Sequence, residues 1–179
     1  MAKSTRTRTK TKTKPDVQVP VHSRVAPKVE GAEQTEIKTT IEGGSIDDAL
    51  KAFGLTPGNA EQRFVYFFDT PAQKLLKAHV VVRARRVPGK QHDSTIKLRP
   101  VEPESVGAKW KKLKGFKIEA DAGATGIVLS ASLTRQVEKG LIKKLEAGGS
   151  DLAEIFDDEQ ERFLEQMCGV SVKLGTLTR

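Results

Sequence analysis

The chain has 179 residues, of which 37% are hydrophobic and 30% are charged, a balance typical of one soluble globular domain. Its one cysteine, Cys168, excludes an internal disulfide framework and a cysteine-rich zinc site, as expected in a reducing cytoplasm. The apolar runs are far shorter than a membrane-spanning helix requires. We therefore expect a cytoplasmic protein with no membrane partner.

The net charge of +8 originates mainly in the first 29 residues. That region holds eight lysine and arginine residues against Asp16, a balance of +7, so the remaining 150 residues sum to only +1. Low hydrophobicity and charge of one sign predict a disordered basic tail over residues 1–31. The tail is a candidate contact for nucleic acid, and a solvated arm with no partner explains it equally well.

The folded part begins with a predicted strand over residues 33–41, which read EQTEIKTTI. A helix is expected next, because Ser45 is a suitable N-cap and Asp48 lies at the capping-box position. Gly54 is expected to end this helix just after Phe53.

The strongest strand signals lie in the middle of the chain. Residues 64–68 (FVYFF) are aromatic and β-branched, and residues 79–87 resume as a valine-rich strand after a turn and a short helix. A Pro-Gly connection at positions 88–89 predicts a hairpin to a strand over residues 94–99. After a loop, residues 116–121 (FKIEAD) alternate most clearly of all.

The C-terminal part is predicted to be mainly helical from residue 122 onward. Leucine and isoleucine recur at helical spacing over residues 133–147, and a second apolar stripe covers residues 151–168. Only residues 170–179 read as a further strand.

Four of the predicted strands carry charged residues on the side opposite their apolar residues, because side chains alternate along a strand. The cations are Lys38, Arg83, Arg85, Lys97, Arg99 and Lys117, and the carboxylates are Glu36, Glu119 and Asp121. One solvated face of an antiparallel sheet is the ordinary interpretation. The alternative is a sheet that curls into a basic tunnel, with helices over its apolar outer side.

Such a tunnel would suit phosphate groups and a metal ion. Arginine binds phosphate oxygens with two parallel hydrogen bonds, and lysine supplies a point charge. Three adjacent carboxylates need a divalent cation, since their mutual repulsion would otherwise keep one of them protonated.

In this order, the segments EIK, YFFDTP, VVRARR, TIK and KIEAD resemble the CYTH family, the triphosphate tunnel metalloenzymes. The resemblance covers residues 34–121 and implies an α+β fold with a curved antiparallel sheet and flanking helices. It also implies a triphosphate or nucleoside triphosphate ligand with Mg²⁺ or Mn²⁺. The CYTH-like domain would span residues 32–179, with 32–121 as its best-matched half.

Carried onto this sequence, the resemblance makes Glu36, Glu119 and Asp121 metal ligands. The expected phosphate contacts are Lys38, Arg83, Arg85, Lys97, Arg99 and Lys117. No residue is assigned as catalytic.

Two departures from the family pattern are visible. Gln34 stands where the hallmark Glu-x-Glu-x-Lys begins with glutamate. The second set of charged strands is missing, as in a fragment, a degenerate copy, or a half-tunnel completed by a partner such as a second copy. The expected function is therefore metal-dependent binding and hydrolysis of a triphosphate. An adenylate cyclase-type activity and a catalytically impaired polyphosphate- or nucleotide-binding protein are the alternatives.

Overall fold

The structure is a computed structural model that describes residues 29–38, 40, 43–149 and 151–179. Residues 1–28, most of the predicted basic tail, lie outside the described residues. The described chain forms an α+β fold around one curved, unclosed sheet. Its strands are β1 (Gln34–Ile37), β2 (Phe64–Phe68), β3 (Val80–Arg86), β4 (His92–Leu98), β5 (Phe116–Gly123) and β6 (Gly126–Val137). The helices are α1 (Ile46–Ala52), α2 (Lys74–Lys77), α3 (Ala108–Lys111), α4 (Leu141–Glu146) and α5 (Asp158–Gln166).

The sheet has the strand order β1-β5-β6-β4-β3-β2, with β1 and β2 at its edges. All neighbours are antiparallel except β1 and β5, which pair in parallel with Gln34 opposite Glu119. The expectation of a purely antiparallel sheet is therefore wrong at this edge. Alternation shows which residues share a face, but it carries no information on the direction of a neighbouring strand.

The first strand is shorter than expected, because only four residues of the predicted 33–41 pair with a neighbouring strand. Residues 39 and 41–42 lie outside the described part of the chain. The helix signals after it are confirmed. The Ser45 hydroxyl accepts a hydrogen bond from the Asp48 amide at 3.1 Å, and Gly54 follows the helix with φ of +64°. The hairpin between β3 and β4 is confirmed as well.

The predicted helix over residues 133–147 is wrong in its first part, because β6 continues to Val137 and α4 begins only at Leu141. Apolar and hydroxyl side chains alternate here in the order Leu129, Ser130, Ala131, Ser132, Leu133 and Thr134. That period of two fits a central strand, and pairing with β4 and β5 outweighs helix propensity.

The last two predicted elements are also corrected. The stretch 151–168 divides into a 3-10 turn at residues 152–154 and α5, whose capping box on Asp157 starts the second helix. Residues 170–179 form no strand of the sheet; they make a single bridge from Thr178 to Asp69. Among the helices of the described residues, none has both the length and the apolar composition of a membrane span.

The hydrophobic core lies between helices α2–α5 and one face of the sheet, whereas α1 has no buried residue. Phe163 of α5 is fully buried and packs edge-on against Trp110 at 5.4 Å and Phe116 at 6.1 Å between ring centroids. Val82 and Ile96, both buried, belong to the same cluster. Trp110 thus anchors α3 to the core.

Gln160 is the polar link between α5 and the sheet. Its fully buried side chain donates to the Ser94 and Leu133 carbonyls at 3.2 Å each, and it accepts from the Ser94 hydroxyl at 3.1 Å. Its Oε1 also accepts from the Asp157 amide at 3.2 Å, which closes the capping box. One side chain therefore caps α5 and fixes it across β4 and β6.

We predict that Gln160→Ala lowers the free energy of unfolding by about 2–4 kcal/mol, because buried groups of the sheet lose a partner and a cavity forms. Gln166→Ala is the matched control, since Gln166 is an exposed glutamine on the same helix. It should change stability by less than about 1 kcal/mol. Urea denaturation measures both, and equal effects of the two variants would contradict the role assigned to Gln160.

Candidate anion-binding face

The sheet face opposite the helices carries most of the predicted site residues. Core residues such as Val82 and Ile96 point toward the helices, so their neighbours in sequence point the other way. The polar and charged side chains on that other side, named here the charged face, come from every strand or strand end except the edge strand β2, which contributes the apolar Val65 and Phe67. They are Gln34, Glu36, Lys38, Arg83, Arg85, Asp93, Thr95, Lys97, Arg99, Lys117, Glu119, Asp121, Ser130, Ser132 and Thr134.

The register brings these residues together across strands. Arg83 lies opposite Thr95 and Arg85 opposite Asp93, while Lys97 and Lys117 flank Ser132 from the two sides of β6. The central side chains of this face, Asp93, Thr95, Asp121, Ser130 and Ser132, are buried although helices α2–α5 pack on the other side.

Asp121 is the most buried carboxylate of the charged face, with 1% of its side chain exposed. The Lys38 ammonium donates to its Oδ1 at 2.8 Å, and Lys97 and Arg99 lie 3.6 and 3.4 Å from its Oδ2. Burial by itself raises the pKa of Asp121, but the Lys38 hydrogen bond and the nearby cations outweigh it and lower the pKa. The same hydrogen bond raises the pKa of Lys38.

The two other predicted metal ligands also face lysines. Lys38 lies 3.3 Å from Glu36, and Lys97 lies 3.6 Å from Glu119. Among the residues that the structure describes, no three carboxylate, imidazole or thiolate side chains form a group that could hold a metal ion. The three carboxylates do lie in one region of the sheet, but as they stand they do not fit a resident metal ion, because ammonium groups already neutralise them.

The two arginines of β3 differ in their partners. Arg85 makes a close ion pair with Asp93, with 2.7 Å between its guanidinium nitrogens and Oδ2. Arg83 has only a 3.3 Å hydrogen bond to the Thr95 hydroxyl and a 3.8 Å approach to Asp93. Burial and the charge of Arg85 lower the pKa of Arg83, so this cation is poorly compensated.

Three buried side-chain atoms have no hydrogen-bond partner among the described residues: Arg83 Nε, Asp93 Oδ1 and Asp121 Oδ2. All three lie on the charged face. Buried polar atoms are almost always paired in folded proteins, and leaving one unpaired costs about 1–3 kcal/mol. Asp93 Oδ1 and Asp121 Oδ2 still have cations within 4.0 Å, whereas Arg83 Nε is a donor with no acceptor among the described residues.

The remaining predicted residues lie at the margin of the face. Lys117 is exposed, and its ammonium lies 3.4 Å from Gln34 Oε1. Arg99 follows the end of β4, with 43% of its side chain exposed. All nine predicted site residues are therefore on the charged face, although their roles there stay predictions.

Four polar residues of the charged face, Asp93, Ser130, Ser132 and Thr134, are not among those that the sequence predicts. The predicted strand began at Ser94, whereas β4 begins at His92. When the strand is extended by two residues, to His92, the alternation of side chains places Asp93 on the same face as Lys97. The hydroxyl residues of β6 were missed because that segment was read as a helix.

Comparison with protein-family models, with curated proteins and with solved structures finds no significant match to this chain in any of the three. The CYTH resemblance therefore rests on the sequence segments alone.

We predict that Asp121→Asn lowers the free energy of unfolding at pH 7 by about 1–3 kcal/mol, because three cations lose their buried counter-charge. The folded-state pKa of Asp121 lies below its ordinary 3.8, so its contribution is complete above that value. This contribution is lost as the pH falls through the folded-state pKa. The free energies of unfolding of the unchanged protein and of Asp121→Asn should therefore become equal at that acidic pH.

The control is Glu119→Gln, since Glu119 is more exposed and has a single ion pair at 3.6 Å. Denaturation at a series of pH values measures all three proteins. A stability difference for Asp121→Asn that does not shrink in acid would contradict the electrostatic role.

Proposed function

We propose that the charged face binds the triphosphate group of a small-molecule ligand. The observation that carries the proposal is the buried Arg83 Nε, a charged donor with no hydrogen-bond partner among the described residues. A phosphate oxygen is the acceptor that matches a guanidinium best, and a second phosphate oxygen would relieve the repulsion between Arg83 and Arg85.

The charge count of the face supports an anionic ligand. Its six cations exceed its four carboxylates (Glu36, Asp93, Glu119 and Asp121) by two. Each carboxylate has an ion pair with one of these cations, so the excess positive charge has no counter-charge on the face. An extended chain of phosphates can follow cations that lie on several strands, whereas a single carboxylate cannot.

The apolar rim of the face supports an organic triphosphate over the inorganic ion. Val65 and Phe67 of β2 lie opposite Arg85 and Arg83, with 41% and 60% of these residues exposed. A flat organic group such as a nucleobase would pack on the Phe67 ring while its phosphates contact the arginines.

Hydrolysis with Mg²⁺ or Mn²⁺ is the second candidate. It is favoured by Asp121 Oδ2, a buried carboxylate oxygen with no hydrogen bond among the described residues. Against it stand Lys38 and Lys97, which occupy the positions beside the carboxylates. A cyclase would need the same metal ion, so the two lysines argue against it as well. Triphosphate binding without turnover therefore agrees best with these ion pairs.

The CYTH-like tunnel belongs to this proposal. A curved, unclosed sheet with one charged face is what half of such a tunnel would present, and a second copy of the chain is a candidate for the other half. Nucleic-acid contact through residues 1–28 stays a prediction, because that segment lies outside the described residues.

We predict that Arg83→Gln weakens binding of inorganic triphosphate and of ATP by about 1.5–3 kcal/mol, the scale of a charge-assisted hydrogen bond. Stability without ligand should stay equal or rise, because the folded state disfavours the Arg83 charge. Arg162→Gln, an exposed arginine on α5, is the control and should bind as the unchanged protein does. Isothermal titration calorimetry measures the affinities, and equal affinity of Arg83→Gln and Arg162→Gln would refute the proposal.

We expect no phosphate release from either triphosphate at neutral pH, with or without Mg²⁺ or Mn²⁺. The reason is that Lys38 and Lys97 compete with a divalent ion for the carboxylates. A phosphate-release assay on the full chain checks this. Metal-dependent turnover that is lost in Asp121→Asn would establish the hydrolase instead.

A further inference from the structure

A second basic surface lies on the other face of the sheet, at the end where β3 turns into β4. It is a cleft of about 390 Å³, within the roughly 300–1,000 Å³ range of small-molecule sites. Its lining consists of Arg86, Pro88, Gly89, Lys90, His92, Lys139, Gly140 and Lys143. Five of these eight residues are basic and none is acidic.

The cleft is separate from the charged face. Arg86 and His92 point to the helical side of the sheet, whereas their neighbours Arg85 and Asp93 point to the other side. The sheet itself therefore divides the two basic surfaces. Neither the charged-face ligand nor the resemblance to tunnel enzymes accounts for a cationic cleft here.

The cations of the cleft are only partly compensated. Arg86 is paired with Glu146 at 2.7 Å, and Lys90 is paired with Glu61. Within the described part of the chain, no carboxylate lies within 4.0 Å of the Lys139 or Lys143 ammonium groups. Two lysines without a close ion pair therefore face a cleft that already contains an arginine.

His92 adds a buried donor to this lining. Its Nδ1 accepts from the Val87 amide at 3.4 Å, so in the neutral ring the hydrogen resides on Nε2. Burial, together with the charges of Arg86, Lys139 and Lys143, lowers the pKa of His92, and the nearby Asp93 carboxylate acts weakly in the opposite direction. The cleft thus holds a neutral imidazole that an anion would help to protonate.

We propose that this cleft is a second anion site, which binds the phosphoryl group of a small phosphorylated molecule or free phosphate. Its cations come from β3, from the β3–β4 turn, from the segment before α4 and from α4 itself, so they surround the cleft from different directions. A carboxylate has two oxygens and is satisfied by one guanidinium, whereas a phosphoryl dianion offers oxygens to several cations at once. The cleft volume leaves room for a substituent on the phosphate.

The test uses the full chain and two probes, inorganic phosphate and glycerol 3-phosphate, measured by isothermal titration calorimetry. The double variant Lys139→Gln/Lys143→Gln should lose about a hundredfold in affinity for both, since each of the two lost charge contacts is worth roughly tenfold. Lys144→Gln is the matched control, because Lys144 is the exposed next residue of the same helix and does not line the cleft. Tighter binding of glycerol 3-phosphate would identify an organic phosphate as the ligand, and equal binding would identify the phosphoryl group alone.

A second readout is specific to the site. Bound phosphate should raise the pKa of His92, observed by NMR titration of its imidazole, in the unchanged protein and in Lys144→Gln but not in the double variant. The proposal is overturned if neither probe binds or if the double variant keeps its affinity. Loss of phosphate binding in Arg83→Gln, with the double variant unaffected, would place phosphate on the charged face and overturn the cleft alone.

Discussion

The ion pairs of Asp121 are the interaction on which the arrangement of the charged face depends. One buried carboxylate on β5 is contacted by Lys38 from the edge strand region and by Lys97 and Arg99 from β4 and its end. These contacts cross the parallel β1–β5 pair and extend past β6, which lies between β5 and β4. Cations that would repel one another are thereby held on one face of the sheet.

The rest of the face follows from this balance of charge. Asp93 plays the equivalent role for Arg85, but Arg83 is left with one hydroxyl contact and an unpaired Nε among the described residues. A purely structural network would pair its buried members, because each unpaired atom reduces stability. The ligand proposed above would supply the acceptor that Arg83 Nε lacks.

The strands with clear alternation could be predicted from the sequence, together with the shared face of their charged residues. Lys97, Arg83 and Glu119 were placed correctly because a period of two fixes the face of each side chain. The direction of β1 and the strand β6 could not be predicted. β6 carries leucines whose spacing also suits a helix, and its strand state is decided by long-range pairing with β4 and β5.

The ion pair of Lys38 could not be predicted from the sequence either. Only the pairing of β1 with β5 brings the Lys38 ammonium to Asp121, a carboxylate that the sequence predicts as a metal ligand.

The central claim is that the charged face is completed by phosphate oxygens at Arg83. NMR observation of the arginine Nε–H groups during titration with inorganic triphosphate tests it most directly. The account predicts that the Arg83 Nε–H signal shifts and its exchange with water slows as the nitrogen gains an acceptor, while the Arg162 signal stays in place. Triphosphate binding that leaves the Arg83 signal unchanged would contradict the account.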